Sequence, residues 1–193
     1  MISSLELLHT DITAFFNHDV SLEVEIGCGK GKFLLECAAE NPGVNFLGID
    51  RVAKWMKTGA QKGEKRNLTN LKFLKAEIRE LLQQFPEESV SVFHVYFPDP
   101  WPKRRHWKRR LVNASFLELL HSRLKPGALV EIATDHSDYF TEIRKAAAQT
   151  EVLWKNIRES VGERLRNEMI RTNYELKFQT AGKKIYYLEL QRK

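Results

Sequence analysis

Two cysteines in 193 residues leave this sequence without the means for a disulfide framework. Cys28 and Cys37 match neither a CxxC redox pair nor a zinc signature, so both read as small buried side chains in a reducing compartment. Six histidines are scattered along the chain. None forms the i, i+4 pair that grips a metal on a helix, so no metal is expected. Long apolar runs are missing too. The longest, Val90–Phe97, is strand-sized and holds His94, whereas a membrane span needs roughly 18 apolar residues. No membrane partner is therefore expected. Near the amino end, Glu6 and Asp11 interrupt Leu5, Leu7 and Leu8, and no basic leader comes before them. A secretion signal is not expected, and the cytoplasm is the expected location. Internal repeats and low-complexity linkers are also absent.

What is present is an ordinary globular composition with a basic excess. Apolar residues make up 42% and charged residues 29%, and Lys and Arg outnumber Asp and Glu by 31 to 25. The excess is concentrated. Lys103, Arg104, Arg105, Lys108, Arg109 and Arg110 crowd one short run around His106, the footprint of a nucleic-acid partner or, more simply, of a solvated helix start.

Strand and helix patterns alternate from residue 22. Strands are expected at 22–26, 45–49, 71–75, 90–97, 128–133, 152–156 and 185–190. Helices are expected at 32–40, 51–66, 78–84, 111–124 and 139–149. The stretch 157–183, rich in charge and without a clear period, reads as irregular. This alternation predicts an α/β fold of Rossmann type, a mostly parallel seven-stranded sheet with helices on both faces. Ligands of such sheets bind beyond the carboxyl ends of the strands.

The first such end carries Glu25-Ile26-Gly27-Cys28-Gly29-Lys30-Gly31 and opens a helix. Glycines here let the chain turn sharply and let a ligand approach the backbone. Asp50 ends the second strand, where a carboxylate can hold a ribose. A dinucleotide fingerprint would place glycine where Lys32 stands. Glu25 would repel a pyrophosphate but attract the ammonium or sulfonium of S-adenosylmethionine. The pattern therefore resembles the first motif of class I methyltransferases, with Gly27, Gly29 and Gly31 lining the cofactor. Glu77 follows the third strand and reads either as a partner for the adenine amino group or as a solvated residue opening a helix.

After the fourth strand comes Phe97-Pro98-Asp99-Pro100-Trp101-Pro102-Lys103-Arg104-Arg105-His106. Three alternating prolines stiffen this loop, which displays one carboxylate. With Lys108-Arg109-Arg110, Gly48-Ile49-Asp50, Ala133-Thr134-Asp135 and Thr172-Asn173-Tyr174-Glu175, the run resembles the tRNA (guanine-N7)-methyltransferases from Glu25 to the carboxyl end. That resemblance implies one methyltransferase domain over 1–193, with a lead-in at 1–20 and a substrate-binding insertion at about 157–183. It implies S-adenosylmethionine held by Glu25, Asp50, Glu77 and Asp99. It further implies substrate contacts from Lys103, Asp135, Thr172, Asn173, Tyr174 and Glu175, with Asp99 catalytic. It points to tRNA as partner and the variable-loop guanosine as target. Either a monomer or a homodimer fits.

Guanine N7 carries a lone pair and no proton, so its methylation needs no general base. A fixed carboxylate such as Asp99 would offset the charge that moves onto the purine. Asp135 and Glu175 would accept from the guanine N–H groups, unless Asp135 caps the helix that follows it. Arg104, Arg105, His106, Lys108, Arg109 and Arg110 would meet RNA, and Trp101 and Trp107 would either stack on a base or anchor the loop. Three rival readings remain at this level: a methyltransferase for small molecules or proteins, an RNA-binding module without catalysis, and a nicotinamide enzyme.

Overall fold

The computed structural model describes residues 19–165 and 170–193, so nearly all of the expected lead-in lies outside the described residues. Among the described residues, seven strands form one sheet in the order β3-β2-β1-β4-β5-β7-β6. They are β1 (Ser21–Ile26), β2 (Val44–Asp50), β3 (Leu71–Lys75), β4 (Val90–Tyr96), β5 (Leu124–Thr134), β6 (Trp154–Val161) and β7 (Tyr186–Arg192). Strands β1 to β5 run parallel, and β7 enters antiparallel between β5 and β6. The first described strand, β1, lies in the middle of the sheet. The chain winds out through β2 and β3, then returns to β1's other side with β4, so the ends of β1 and β4 face the crevice where the strand order reverses.

Helices α1 (Lys32–Glu40) and α2 (Ala53–Lys65) cover one face. Helices α3 (Ile78–Leu82), α4 (Ala114–Arg123) and α5 (Ser137–Gln149) cover the other. Phe33, Leu34, Leu35, Cys37 and Ala38 of α1 pack on Phe46 and Phe73, while Phe116, Leu117 and Leu120 of α4 pack with Phe93 and Val130 in the opposite core. Burying side chains of this size stabilises by about 1.5–3 kcal/mol each. Both cysteines are free and buried, as their spacing predicted.

Several boundaries differ from the sequence reading. Helix α4 begins at Ala114 because the Asn113 side chain accepts from Phe116 N and caps it there. Strand β5 begins at Leu124, with a register shift opposite Val90–Val92 absorbing Pro126 and Gly127. Strand β6 starts at Trp154, after a 3-10 turn at Glu151–Leu153, and runs to Val161. The described part of 157–183 is therefore not irregular throughout. It holds most of β6 and helix α6 (Asn173–Thr180), which opens with a capping box between Thr172 and Glu175.

Candidate active site

The turn after β1 is tied to the neighbouring strand, with Gly27 N and Cys28 N donating to Ile49 O at 2.8 and 3.2 Å. Gly31 has φ 66°, and a Cβ there would sit 2.4 Å from the Phe73 ring, so both its backbone and its packing demand glycine. Gly31 thus faces Phe73 and does not line the cavity beside this turn, unlike Gly27 and Gly29. Asp50 braces the same turn: Oδ2 accepts from Gly29 N at 2.9 Å and Oδ1 from Val52 N at 2.8 Å.

Glu25 ends up 5% exposed at the floor of a cavity of about 340 Å3, and its Oε2 has no hydrogen-bond partner. Burial pushes its carboxyl up to about 8, opposed by the charges of His94 and Arg164. A buried acceptor that opens onto a glycine-rimmed cavity suits a cationic ligand, and the methionine ammonium of S-adenosylmethionine fits it. A second cavity of about 440 Å3 holds Asp50, Glu77 and Asp99, and shares Gly27, Gly29, Trp55, Tyr96, Phe97 and Tyr174 with the first. Glu77 precedes α3 without capping it and pairs with Arg51 at 3.4 Å.

Asp99 is exposed on the rim of this second cavity. The loop that carries it lies between two non-glycine residues in the left-handed region, Phe97 at φ 53° and Trp101 at φ 42°. Each costs on the order of 1–2 kcal/mol, so the loop must be held at both ends. Phe97 N donates to Ala133 O at 2.7 Å, and Arg110 Nε donates to Pro100 O at 2.8 Å. The Phe97 ring packs against Phe178 and Tyr174 of α6, with centroids 5.3 and 5.8 Å away.

The basic run forms a 3-10 helix at Arg104–Arg109. Lys103, Arg104, Arg105, Lys108 and Arg109 are exposed and His106 is half-buried. Arg110 departs from expectation. It is 5% exposed, packed between the rings of Trp107 and Tyr139 at 4.6 and 4.8 Å, and braces the loop after β4 instead of facing the surface. Trp107 is thereby an internal anchor, whereas Trp101 lines the cavity under the Arg109 guanidinium.

Thr172, Asn173 and Tyr174 border the first cavity. Glu175 does not. It is fully buried, bound by Arg164 and by Tyr187, whose hydroxyl donates at 3.0 Å, so its oxygens are filled from within. Asp135 pairs with Lys183 at 3.1 Å, and the cap of α5 is His136, not Asp135. Three features escaped the sequence reading. The polar residues Glu23, His94 and Glu131 meet inside the sheet. Trp55 stands 43% exposed where the two cavities meet. Lys54, Lys57, Lys62 and Lys65 crowd the open face of α2. Each was visible only as a polar break in an apolar run or as an unremarked helix face.

A family model described as "Putative methyltransferase" matches residues 19–188. The tRNA (guanine-N(7)-)-methyltransferase of Geobacillus kaustophilus is 34% identical over 177 residues, covering 92% of this chain and 82% of that protein. That of Geobacter metallireducens is 33% identical, covering 94% and 87%. The chain belongs to the tRNA (guanine-N(7)-)-methyltransferase family.

Solved structures repeat the fold at low identity. An antibiotic-related methyltransferase superposes with a TM-score of 0.62 at 19% identity, covering 93% of this chain and 91% of that one. The tRNA (m1A58) methyltransferase of Aquifex aeolicus gives 0.59 at 17%, covering 94% and 67%. This member of the tRNA (guanine-N(7)-)-methyltransferase family therefore keeps the class I sheet and sets its glycine turn and its proline-framed acid at adjacent strand ends.

Proposed function

We propose that this protein is a single-domain enzyme of the cytoplasm that methylates N7 of a guanine in tRNA, with the variable-loop guanosine as target. The observation that carries this reading is the joining of an unpartnered, buried Glu25 oxygen to the exposed Asp99 through cavities with common walls. When bound, S-adenosylmethionine supplies an electrophilic methyl group on a cationic sulfur. Glu25 receives the ammonium, Asp50 the ribose hydroxyls and Glu77 the adenine amino group, at the ends of β1, β2 and β3.

Because N7 holds a free lone pair, the residues here have no proton to remove. Their work is to hold the base in line and to offset the positive charge that reaches it. Asp99 does this from a loop pinned at Phe97 and Pro100. Tyr174 and Trp55, both exposed at the cavity walls, provide faces on which an unstacked base can lie. Asp135 reads the guanine edge by exchanging its pairing with the exposed Lys183. The exposed Lys103, Arg104, Arg105, Lys108 and Arg109 grip phosphates, Lys108 and Arg109 from the wall of the second cavity, which Arg51 also lines.

The test is incubation of an unmodified tRNA transcript with labelled S-adenosylmethionine, followed by nucleoside identification. Label in 7-methylguanosine supports the reading. Label elsewhere, or none, refutes it.

A further inference from the structure

Inside the sheet, beneath α1, five strands contribute one transverse row of ionisable side chains. Glu25 of β1 stands beside His94 of β4, His94 beside Glu131 of β5, Glu131 beside Glu189 of β7, and Glu189 beside Arg158 of β6. Residues in register point to the same face, and Glu23, two places before Glu25, joins them. His94 is fully buried. Its Nε2 lies 2.9 Å from Glu23 Oε2 and its Nδ1 3.0 Å from Glu131 Oε2. The Tyr96 hydroxyl, 2.9 Å from Nδ1, spends its hydrogen on Glu131 at 2.5 Å.

A neutral imidazole has one N–H, yet both ring nitrogens here face carboxyl groups, and the Tyr96 hydroxyl points its hydrogen at Glu131. With both carboxyls ionised the ring donates twice, which makes it an imidazolium. The surroundings on other elements are largely self-neutralised: Arg164 binds Glu175 of α6, Arg158 binds Glu189, and Phe33 of α1 closes the top. The charges of His94 and Arg164 favour the ionised Glu25, while those of Asp50 and of Glu175, the partner of Arg164, oppose it.

We propose that His94 is a positioning residue for the methyl donor: its imidazolium, clamped between Glu23 and Glu131, eases the ionisation of the neighbouring Glu25 so that this carboxylate can grip the donor's ammonium. Burial opposes the His94 charge, but the hydrogen bonds to Glu131 and Glu23 outweigh it and raise the ring to about 10. The charge therefore persists through the neutral range in which Glu25 titrates.

The inference rests on the methyltransferase reading and is tested by calorimetry of S-adenosylhomocysteine binding from pH 6 to 9. In the native protein, affinity for this ammonium-bearing probe should rise as Glu25 loses its proton and level off above about pH 8. In His94→Gln the rise should move up by about one pH unit, giving roughly tenfold weaker binding at pH 7 and only about twofold weaker binding at pH 9. The probe's own amino group titrates alike in both proteins and cancels in their ratio. A ratio that stays constant with pH means that His94 only supports the fold and overturns the proposal, as does an unaltered profile. If His94→Gln does not fold, Glu23→Gln, which strips one of the two carboxylates holding the ring charged, must shift the profile the same way by a smaller amount, or the proposal falls. Native protein that ignores the probe at every pH refutes the methyltransferase reading itself.

Discussion

Arg164 embraces Glu175 with both arms: Nε lies 2.7 Å from Oε1 and Nη2 2.7 Å from Oε2, and both side chains are almost wholly withdrawn from solvent. The pair joins the segment after β6 to the first turn of α6. The backbone of Thr172 donates to the same carboxylate at 2.8 Å. Burial alone would raise the Glu175 carboxyl, but the Arg164 hydrogen bonds and charge hold it below the usual carboxylate range.

Glu175→Gln should therefore act as a stability variant. Leaving the Arg164 charge buried without its partner costs about 3–5 kcal/mol. Chemical denaturation should register that loss. At temperatures where the variant stays folded, discrimination between guanine and adenine should be unchanged. A selective loss of guanine recognition without loss of stability would instead place Glu175 against the substrate.

Asp99→Ala should reduce the single-turnover rate of methyl transfer by about 100-fold or more, the scale of losing one preorganised electrostatic group. Affinity for S-adenosylhomocysteine, measured by calorimetry, should stay within a few-fold, because Asp99 stands on the rim of the cavity and not at the glycine turn. Unchanged turnover would remove Asp99 from the chemistry.

The basic run should divide into two behaviours. Neutralising Arg104, Arg105 and Arg109 together should flatten the slope of log tRNA affinity against log salt by about 2–3, as expected for three phosphate contacts. Arg110→Met should leave that slope alone and lower the melting temperature, since Arg110 is buried on Trp107 and Tyr139. A salt response to Arg110→Met equal to that of an exposed arginine would contradict its placement.

Stability should fall as pH rises from neutral toward 10. The folded-state pKa of His94, about 10, lies above its unfolded value of about 6.5. Its contribution is thus complete below pH 6.5 and is lost as pH climbs through 10. Glu25 is displaced in the same sense, so its contribution fades between its ordinary range and about 8. Melting temperatures across this range should show a shallower decline in His94→Gln than in the native protein. An equal slope would mean that the ring is neutral in the fold.

The strand ends that carry Glu25, Asp50 and Asp99 were readable in the sequence because each lies at the end of an apolar run of strand length, and glycine or proline marks the turn at Glu25 and at Asp99. Arg110 was misplaced because a basic run looks uniform along the chain, while a 3-10 turn sends its last member inward between two rings. Helix α6 was overlooked although Thr172 and Glu175 spell a capping box, since its eight residues bury little beyond Glu175 and so lack an apolar stripe. Nothing local marked the meeting of Glu23, His94 and Glu131, because that contact depends on the register of three strands far apart in the chain.

The insertion of β7 between β5 and β6 imposes a schedule on the nascent chain. Strand β6 touches the rest of the sheet through β7, so it has no docking edge until residues 186–192 have left the ribosome. Tyr187, which helps bind the carboxylate beneath α6, arrives with that same strand. The wall formed by Thr172, Asn173 and Tyr174 is consequently the last part of the cavity to be built. A growing polypeptide can shape its glycine turn early, yet it gains a closed pocket only once β7 has emerged.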